Sequence, residues 1–528
     1  MNALGNHNKI CISDSNQIYC VPKTTDKIKF KNFGNMVKQE IIYYADFESI
    51  LKPLTNKFKG EKTQLLKRHI PVSFGLLRVC VNQRLNKGPI VFHGKNIISK
   101  FWEVLELEME EIEHLFLNEN YPLQMSKQDY LKHKKLKRCE ICQKRFSKLN
   151  PKMRDHYHSV GPKISNYRYT LCNRCNLTFA SNKNIFPISI VFHNLSGYDS
   201  HLIISELEKY AKNREKIQII PRNSEKYISF TIGRWRFIDS FQFLHSSLDT
   251  LVQSMKTEGI SSFKHVSSLF PNDEKKTQHL ICKHAYPYNF PKSYSDYHKH
   301  GFPSKEDFNN ELKPDITDEQ YNFTKYIFKL FQCKTFFDFH ILYLKSDICL
   351  LADVFENYRN ICLNGKYKLD PTYYISSPQL GFDSMLRLTG VQLDFLDSLE
   401  KVEFIERGIR GGISVISRRY ARANNEFTNY DPSKPKTYII YLDCNGLYSE
   451  AMKSRLPARN FRFLSKKEIE NFDVMSKLEE DKYGFILEVD IDYPKSIHDI
   501  TADYPLAPEK ISITDNELSS KSLEFKKN

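Results

Sequence analysis

Ile41-Ile-Tyr-Tyr-Ala-Asp46-Phe-Glu48 is an apolar, aromatic run closed by two acids. Such a run reads as a short buried strand. Residues two apart on a strand point to the same face, so Asp46 and Glu48 share one. Two acids on one face repel unless a cation sits between them. The run therefore predicts a strand ending in a metal-binding pair, although Asp-x-Glu also occurs without that role.

Working outward, Val72 to Val81 reads as a second strand. Trp102 to Leu117 reads as a helix with Leu105, Met109, Ile112 and Phe116 on one face and a solvated row of Glu opposite. Strand patterns return at Phe186 to Phe192, Ile217 to Ile220, Tyr227 to Ile232 and Arg236 to Phe241. Helical patterns cover Ser200 to Arg214 and Lys334 to Cys362. Residues 271–318 read as a long ordered loop or small subdomain, and Tyr438 to Leu442 and Tyr483 to Ile491 as late strands. The predicted class is α/β.

Three further acids stand in informative settings. Asp199 follows the turn His193-Asn194-Leu-Ser-Gly197-Tyr198 and opens a helix, where the bland reading is an N-cap. Asp347 lies one helical turn after Tyr343, so phenol and carboxylate share a face, as catalytic partners or as a plain hydrogen bond. Together Asp46, Glu48, Asp199 and Asp347 offer enough hard oxygen ligands for two divalent ions, Mg²⁺ or Mn²⁺, and Tyr343 could orient a water. Asp443 ends the Tyr438 strand and precedes a tight turn, Leu447 and Tyr448; it too would hold Mg²⁺, with the Tyr closing under a nucleotide sugar.

Lys+Arg 78 against Asp+Glu 63 gives a net charge of +15, which favours a polyanion such as nucleic acid. Of twelve Cys, four are paired as Cys139-x-x-Cys142 and Cys172-x-x-Cys175. That pairing predicts one structural Zn²⁺ and a reducing compartment rather than disulfides. No signal peptide or membrane-spanning run is expected. Lys134, Lys135, Lys137, Arg138, Lys144, Arg145, Lys148, Lys152 and Arg154 crowd the same island, as phosphate contacts or as a solvated basic face.

The ordered motifs resemble family B DNA polymerases of the organellar and viral, protein-primed kind. The likeness is greatest to the polymerases of self-synthesising (Maverick/Polinton-type) transposons, related viruses and linear plasmids. Asp46-Phe-Glu48, Asn194 to Asp199 and Tyr343 to Asp347 match its three exonuclease motifs. Ser247-Leu248-Asp-Thr-Leu251 resembles a motif that touches single-stranded DNA and the terminal priming protein. Ile409-Arg410-Gly411-Gly412 resembles the Tyr-x-Gly-Gly motif, with Ile in place of Tyr, and Asp443 to Tyr448 the first palm motif. The resemblance implies DNA-directed DNA synthesis with 3′→5′ proofreading. Its partners would be primer-template and single-stranded DNA, deoxynucleoside triphosphates and a priming protein. Asn194, Ser247, Leu248, Arg410, Gly411 and Gly412 would meet DNA. The Cys island resembles endonuclease VII-type ββα-metal nucleases, which implies Asp155, His156 and Asn176 as ligands of a nuclease ion.

The implied organisation is a polar lead-in (1–36), a ribonuclease-H-like exonuclease domain (37–400) carrying the island (137–180), a linker (401–420) and the start of a palm (421–528). The finger motif and the Asp-Thr-Asp palm motif are not found, so the expectation is a fragment that cannot extend a primer alone. The alternatives are a catalytically dead DNA-binding zinc protein and a stand-alone nuclease. The expected location is the nucleus, with mitochondrion or cytoplasm as alternatives.

Overall fold

The Ile41 run becomes an inner strand of a seven-stranded mixed sheet. The computed structural model describes residues 22–23, 25–54, 67–118, 121–158, 165–182, 187–207, 217–223, 226–309, 315–409, 411, 414–416, 419–478, 481–504, 506 and 512–527. They divide into two units, Phe30–Val391 and a second made of Met1–Lys29 with Gln392–Asn528.

In the first unit, β1 (Ile41–Pro53), β2 (Lys67–Cys80) and β3 (Lys87–His93) form an antiparallel meander. Two strands of the Cys island follow, β4 (Lys152–His156) and β5 (Tyr167–Cys172), and pair only with each other. β6 (Ile188–Phe192), β7 (Ile217–Pro221), β8 (Tyr227–Ile232) and β9 (Trp235–Asp239) complete the main sheet. Its order is β3-β2-β1-β6-β9-β8-β7, with β6 parallel to β1 and to β9. β1 and β6 are buried on both faces, which is why their sequences are continuously apolar rather than alternating.

Helix α1 (Ile97–Asn118) covers one face of the sheet, burying Phe101, Leu105 and Ile112 against Phe47, Phe74 and Phe237. Its acids are not all solvated as the pattern suggested. Glu108 is buried and accepts from Arg78 (3.0 Å) and the Tyr43 hydroxyl (2.7 Å), since a guanidinium buried in the sheet must be paired. On the other face lies a long helix, Phe336–Asn364, with Leu344, Ile348 and Phe355 in the core. Of the predicted Ser200 to Arg214 helix, Asp199–Ile204 is observed and residues 208–216 lie outside the described set.

The second unit differs most from expectation. Lys27–Ile28 pairs with Leu393–Asp394, and the Lys27 ammonium lies 2.6 Å from Asp394. Neither Tyr438 to Leu442 nor Tyr483 to Ile491 is a strand. Both runs are exposed, Tyr441 by 91%. A strand needs a neighbour for its N–H and C=O groups, and none of the described residues offers one to either run.

Candidate active site

Asp46 and Glu48 stand in mid-strand, not at a strand end, because β2 stays paired with β1 as far as Pro53. Asp46 lies opposite Gly75. A Cβ at Gly75 would fall 2.1 Å from Ile348 Cδ1 and 3.3 Å from Leu344 Cγ. The long helix thus rests directly on the β2 backbone, which only glycine allows. Leu344 and Ile348 adjoin Tyr343 and Asp347, so this contact carries both to the strand beside Asp46.

Asp199 arrives from the turn after β6. Asn194 takes φ 66°, and the turn is held by Asp239 at the end of β9. The Asn194 and Ser196 N–H groups donate to its carboxylate at 2.8 and 3.1 Å. A Cβ on Gly197 would fall 2.5 Å from the Asn194 carboxamide, so a larger residue here would push that side chain aside. Asn194 remains exposed. Tyr198 accepts or donates a 3.0 Å hydrogen bond at His69 Nδ1.

Glu48, Asp199 and Asp347 are each at most 6% exposed. Burial, reinforced by the Asp347 charge against the opposing Lys283, pushes the Asp46 carboxyl up to about 7. Burial, then the charges of Asp46, Glu48 and Asp239, raises Asp199 well above the usual carboxylate range. The four acids therefore feel one another. They do not form a ligand cluster as they stand: among the described residues, the one group of three or more Cys, His, Asp or Glu whose ligand atoms all lie within 4.8 Å of one another is the four cysteines. Asp199 Oδ1 and Asp347 Oδ1 are buried and accept no hydrogen bond, while Asp347 Oδ2 faces the Lys283 ammonium. Buried carboxylate oxygens without donors suit a hard cation, so these residues fit a divalent ion.

One cation is already supplied by the chain. Lys283 Nζ lies 3.0 Å from Asp347 Oδ2. Burial works against its charge, but Asp347, Asp46 and Glu48 outweigh this and raise its pKa. Its N–H donates to Asp249 (3.3 Å), and the nearby Tyr286 ring packs 4.6 Å from that of Tyr343, which is buried. Sequence reasoning missed Lys283, which lies in the segment read as a loop, and Asp239, which looked like an ordinary strand end.

These charges make a testable pH dependence. In the metal-free protein the folded state keeps protons on Asp46 and Asp199 that the unfolded chain has released, so stability falls as pH rises from about 4 towards 7. Added Mg²⁺ is expected to raise Tm more at pH 8 than at pH 5. Equal Mg²⁺ shifts at the two pH values, read by thermal melts after EDTA treatment, would contradict this.

The remaining predicted positions divide. Ser247 is exposed and caps the helix Leu248–Met255, accepting from the Thr250 N–H (3.2 Å). Leu248 is 5% exposed and belongs to the core, so it packs rather than meeting DNA. Arg410 and Gly412 lie outside the described residues, and Gly411 is exposed. Asp443, Leu447 and Tyr448 are exposed in the second unit; Gly446 (φ 69°) provides the tight turn before the helix Leu447–Lys453. Asp443 does not end a buried strand, since the run before it is unpaired.

In the Cys island, Cys139 and Cys142 form a knuckle, Cys172 ends β5 and Cys175 lies in the helix Asn173–Asn182. The Cys142 and Cys172 sulfurs are 3.7 Å apart. Tetrahedral zinc with Zn–S of ~2.3 Å requires about 3.8 Å between sulfurs. The site fits zinc. The island does not have a core of its own, as its insertion would suggest: Cys139, Ile141, Leu171 and Cys172 join the cluster of Met36, Val37 and Leu350, and the Tyr169 hydroxyl donates to Met36 O (3.1 Å). Chelating the zinc should therefore lower the Tm of the whole first unit, not only loosen the island. Metal analysis finding no stoichiometric zinc would refute the site. Asp155 is buried and ion-paired with Arg168, His156 and His158 have ring centroids 4.3 Å apart, and Asn176 lies on the helix after β5.

The family model "DNA polymerase type B, organellar and viral" matches residues 184–522, and that of recombination endonuclease VII matches residues 115–188. No curated protein and no solved structure matches.

Proposed function

Because the chain belongs to the organellar and viral type B DNA polymerases, we propose that its carboxylate cluster is the 3′→5′ proofreading site of such an enzyme. The observation that carries this reading is the pair of buried oxygens without donors, Asp199 Oδ1 and Asp347 Oδ1, in one field with Asp46 and Glu48. The sheet order β3-β2-β1-β6-β9, antiparallel on one side of β1 and parallel on the other, supports a ribonuclease-H-like domain.

Mg²⁺ or Mn²⁺ held by Asp46, Glu48, Asp199 and Asp347 would supply an activated water and charge stabilisation for phosphodiester hydrolysis. The chain's own residues do the rest. Lys283 offers positive charge beside Asp347, where a phosphate's developing charge needs it. The Tyr343 phenol, packed by Tyr286, orients the water. Asn194, exposed on its turn, holds the single-stranded 3′ end. Asp443, with Leu447 and Tyr448, is the first palm motif and would meet the deoxynucleoside triphosphate. The motif set fits the replication enzyme of a mobile or virus-like element that uses a priming protein.

The test is a 5′-labelled primer on a template, with Mg²⁺ and four deoxynucleotides. The expected product is a ladder of primers shortened from the 3′ end, with no extension by these 528 residues, which contain no Asp-Thr-Asp. Extension, or internal cuts alone, would contradict the reading.

A further inference from the structure

We infer that the Cys-rich module grips duplex DNA without cutting it, because the guanidinium of Arg168 fills the position at Asp155 that a nuclease ion would need. The Arg168 Nη2 donates to Asp155 Oδ1 (2.9 Å) while Nε donates to Oδ2, so both oxygens are taken. The two side chains are only 5% and 8% exposed. The guanidinium also lies over the Tyr157 ring, 4.8 Å from its centroid, and Glu40 of the lead-in to β1 stands 4.0 Å away. An ion at Asp155 would have to strip this bidentate pair and leave a buried guanidinium without its partner, which is strongly unfavourable. The contrast with the exonuclease site is direct. There Asp199 Oδ1 and Asp347 Oδ1 accept no hydrogen bond, and the cation, Lys283, meets Asp347 at Oδ2 (3.0 Å) rather than as a bidentate guanidinium.

What the module does present is a rigid tip. Cys139 N–H donates to Lys144 O (3.0 Å) at the knuckle, and Ser147 and Asn150 close the next turn with reciprocal backbone hydrogen bonds of 3.1 Å. Leu149 sits on that turn and is 99% exposed. Lys144, Arg145 and Lys148 around it are exposed, and Asn150 ties Arg145 to the turn through a 2.9 Å bond to its carbonyl. A fully exposed aliphatic side chain within five residues of three exposed cations matches a wedge between stacked base pairs, with the cations on the flanking phosphates. Leucine has no π face on which an unpaired base could stack, so the tip favours duplex over single strand. This inference is independent of the exonuclease assignment.

The test uses the full zinc-loaded chain. With Asp46→Ala to silence the carboxylate site, supercoiled plasmid in Mg²⁺ or Mn²⁺ should stay un-nicked. Leu149→Ala should weaken binding of a labelled 20-bp duplex by roughly tenfold, or about 1.4 kcal/mol, and leave binding and degradation of a single strand unchanged. Lys144→Ala with Arg145→Ala should flatten the salt dependence of duplex binding. Nicking that disappears on His156→Ala would overturn the inference. So would Leu149→Ala weakening single-strand binding equally, or leaving duplex affinity intact.

Discussion

Asp46→Ala is expected to slow Mg²⁺-dependent degradation of single-stranded DNA by roughly a hundred- to a thousandfold. Metal-assisted charge stabilisation is worth several kcal/mol, and about 1.4 kcal/mol is a factor of ten. Asp46 is the right residue to remove because it couples to both other arms of the site: its charge raises Asp199, and that of Asp347 raises Asp46. The fold should tolerate the change, since a raised carboxyl is a destabilised one and alanine removes it. Degradation at the wild-type rate in the variant, followed on a 5′-labelled oligonucleotide, would move the nuclease centre elsewhere in the chain.

The largest stability effect should come from a different place, the ion network between β1 and the long helix. Arg359, 1% exposed, donates to Asp370, fully buried, at 3.0 and 2.7 Å, and to Gln39 O at 3.2 Å. Asp370 also accepts the Gln39 and Thr372 N–H groups, at 2.8 and 3.1 Å. Glu356 holds the far side, accepting from Arg359, from Lys38 (2.9 Å) and from the Tyr44 hydroxyl (2.8 Å). Asp370→Ala takes from the buried guanidinium one of its two acids, orphans two backbone donors, and is expected to cost about 3–5 kcal/mol. Against a total of ~5–15 kcal/mol that is enough to unfold a marginal domain. Arg359→Met together with Asp370→Leu should cost less than Asp370→Ala alone, because the pair's desolvation is then relieved. Urea denaturation of the three proteins checks this. A loss below 1 kcal/mol for Asp370→Ala would show that the network is solvated.

Much of this was legible before any coordinates. The Ile41 strand announced itself because burial on both faces makes its opening, Ile41 to Ala45, continuously apolar or aromatic, and the Lys334 to Cys362 helix because its length exceeds any strand. Asp46, Glu48, Asp199, Tyr343 and Asp347 stood out as a set, and the family resemblance implied their roles, since each motif taken singly also has a plain structural reading. What stayed hidden depends on partners distant in sequence. Lys283 is one basic residue in a polar segment until Asp347 comes within 3.0 Å. Arg168 drew no notice in the sequence, and its role shows only where it closes on Asp155. Glu108 looked solvated for the same reason, because Arg78 lies thirty residues before it. Periodicity reports which way a side chain faces, not whether a strand has a neighbour. That is why the Tyr438 and Tyr483 runs read as strands and are not.

The central claim is that Asp46, Glu48, Asp199 and Asp347 form the metal-dependent nuclease centre. A crystal of the zinc-loaded chain soaked in Mn²⁺, with anomalous maps recorded at the manganese edge, tests it most directly. The account predicts manganese peaks among these four carboxylates and none at Asp155. Manganese bound at Asp155 and His156, with the four carboxylates empty, would contradict it.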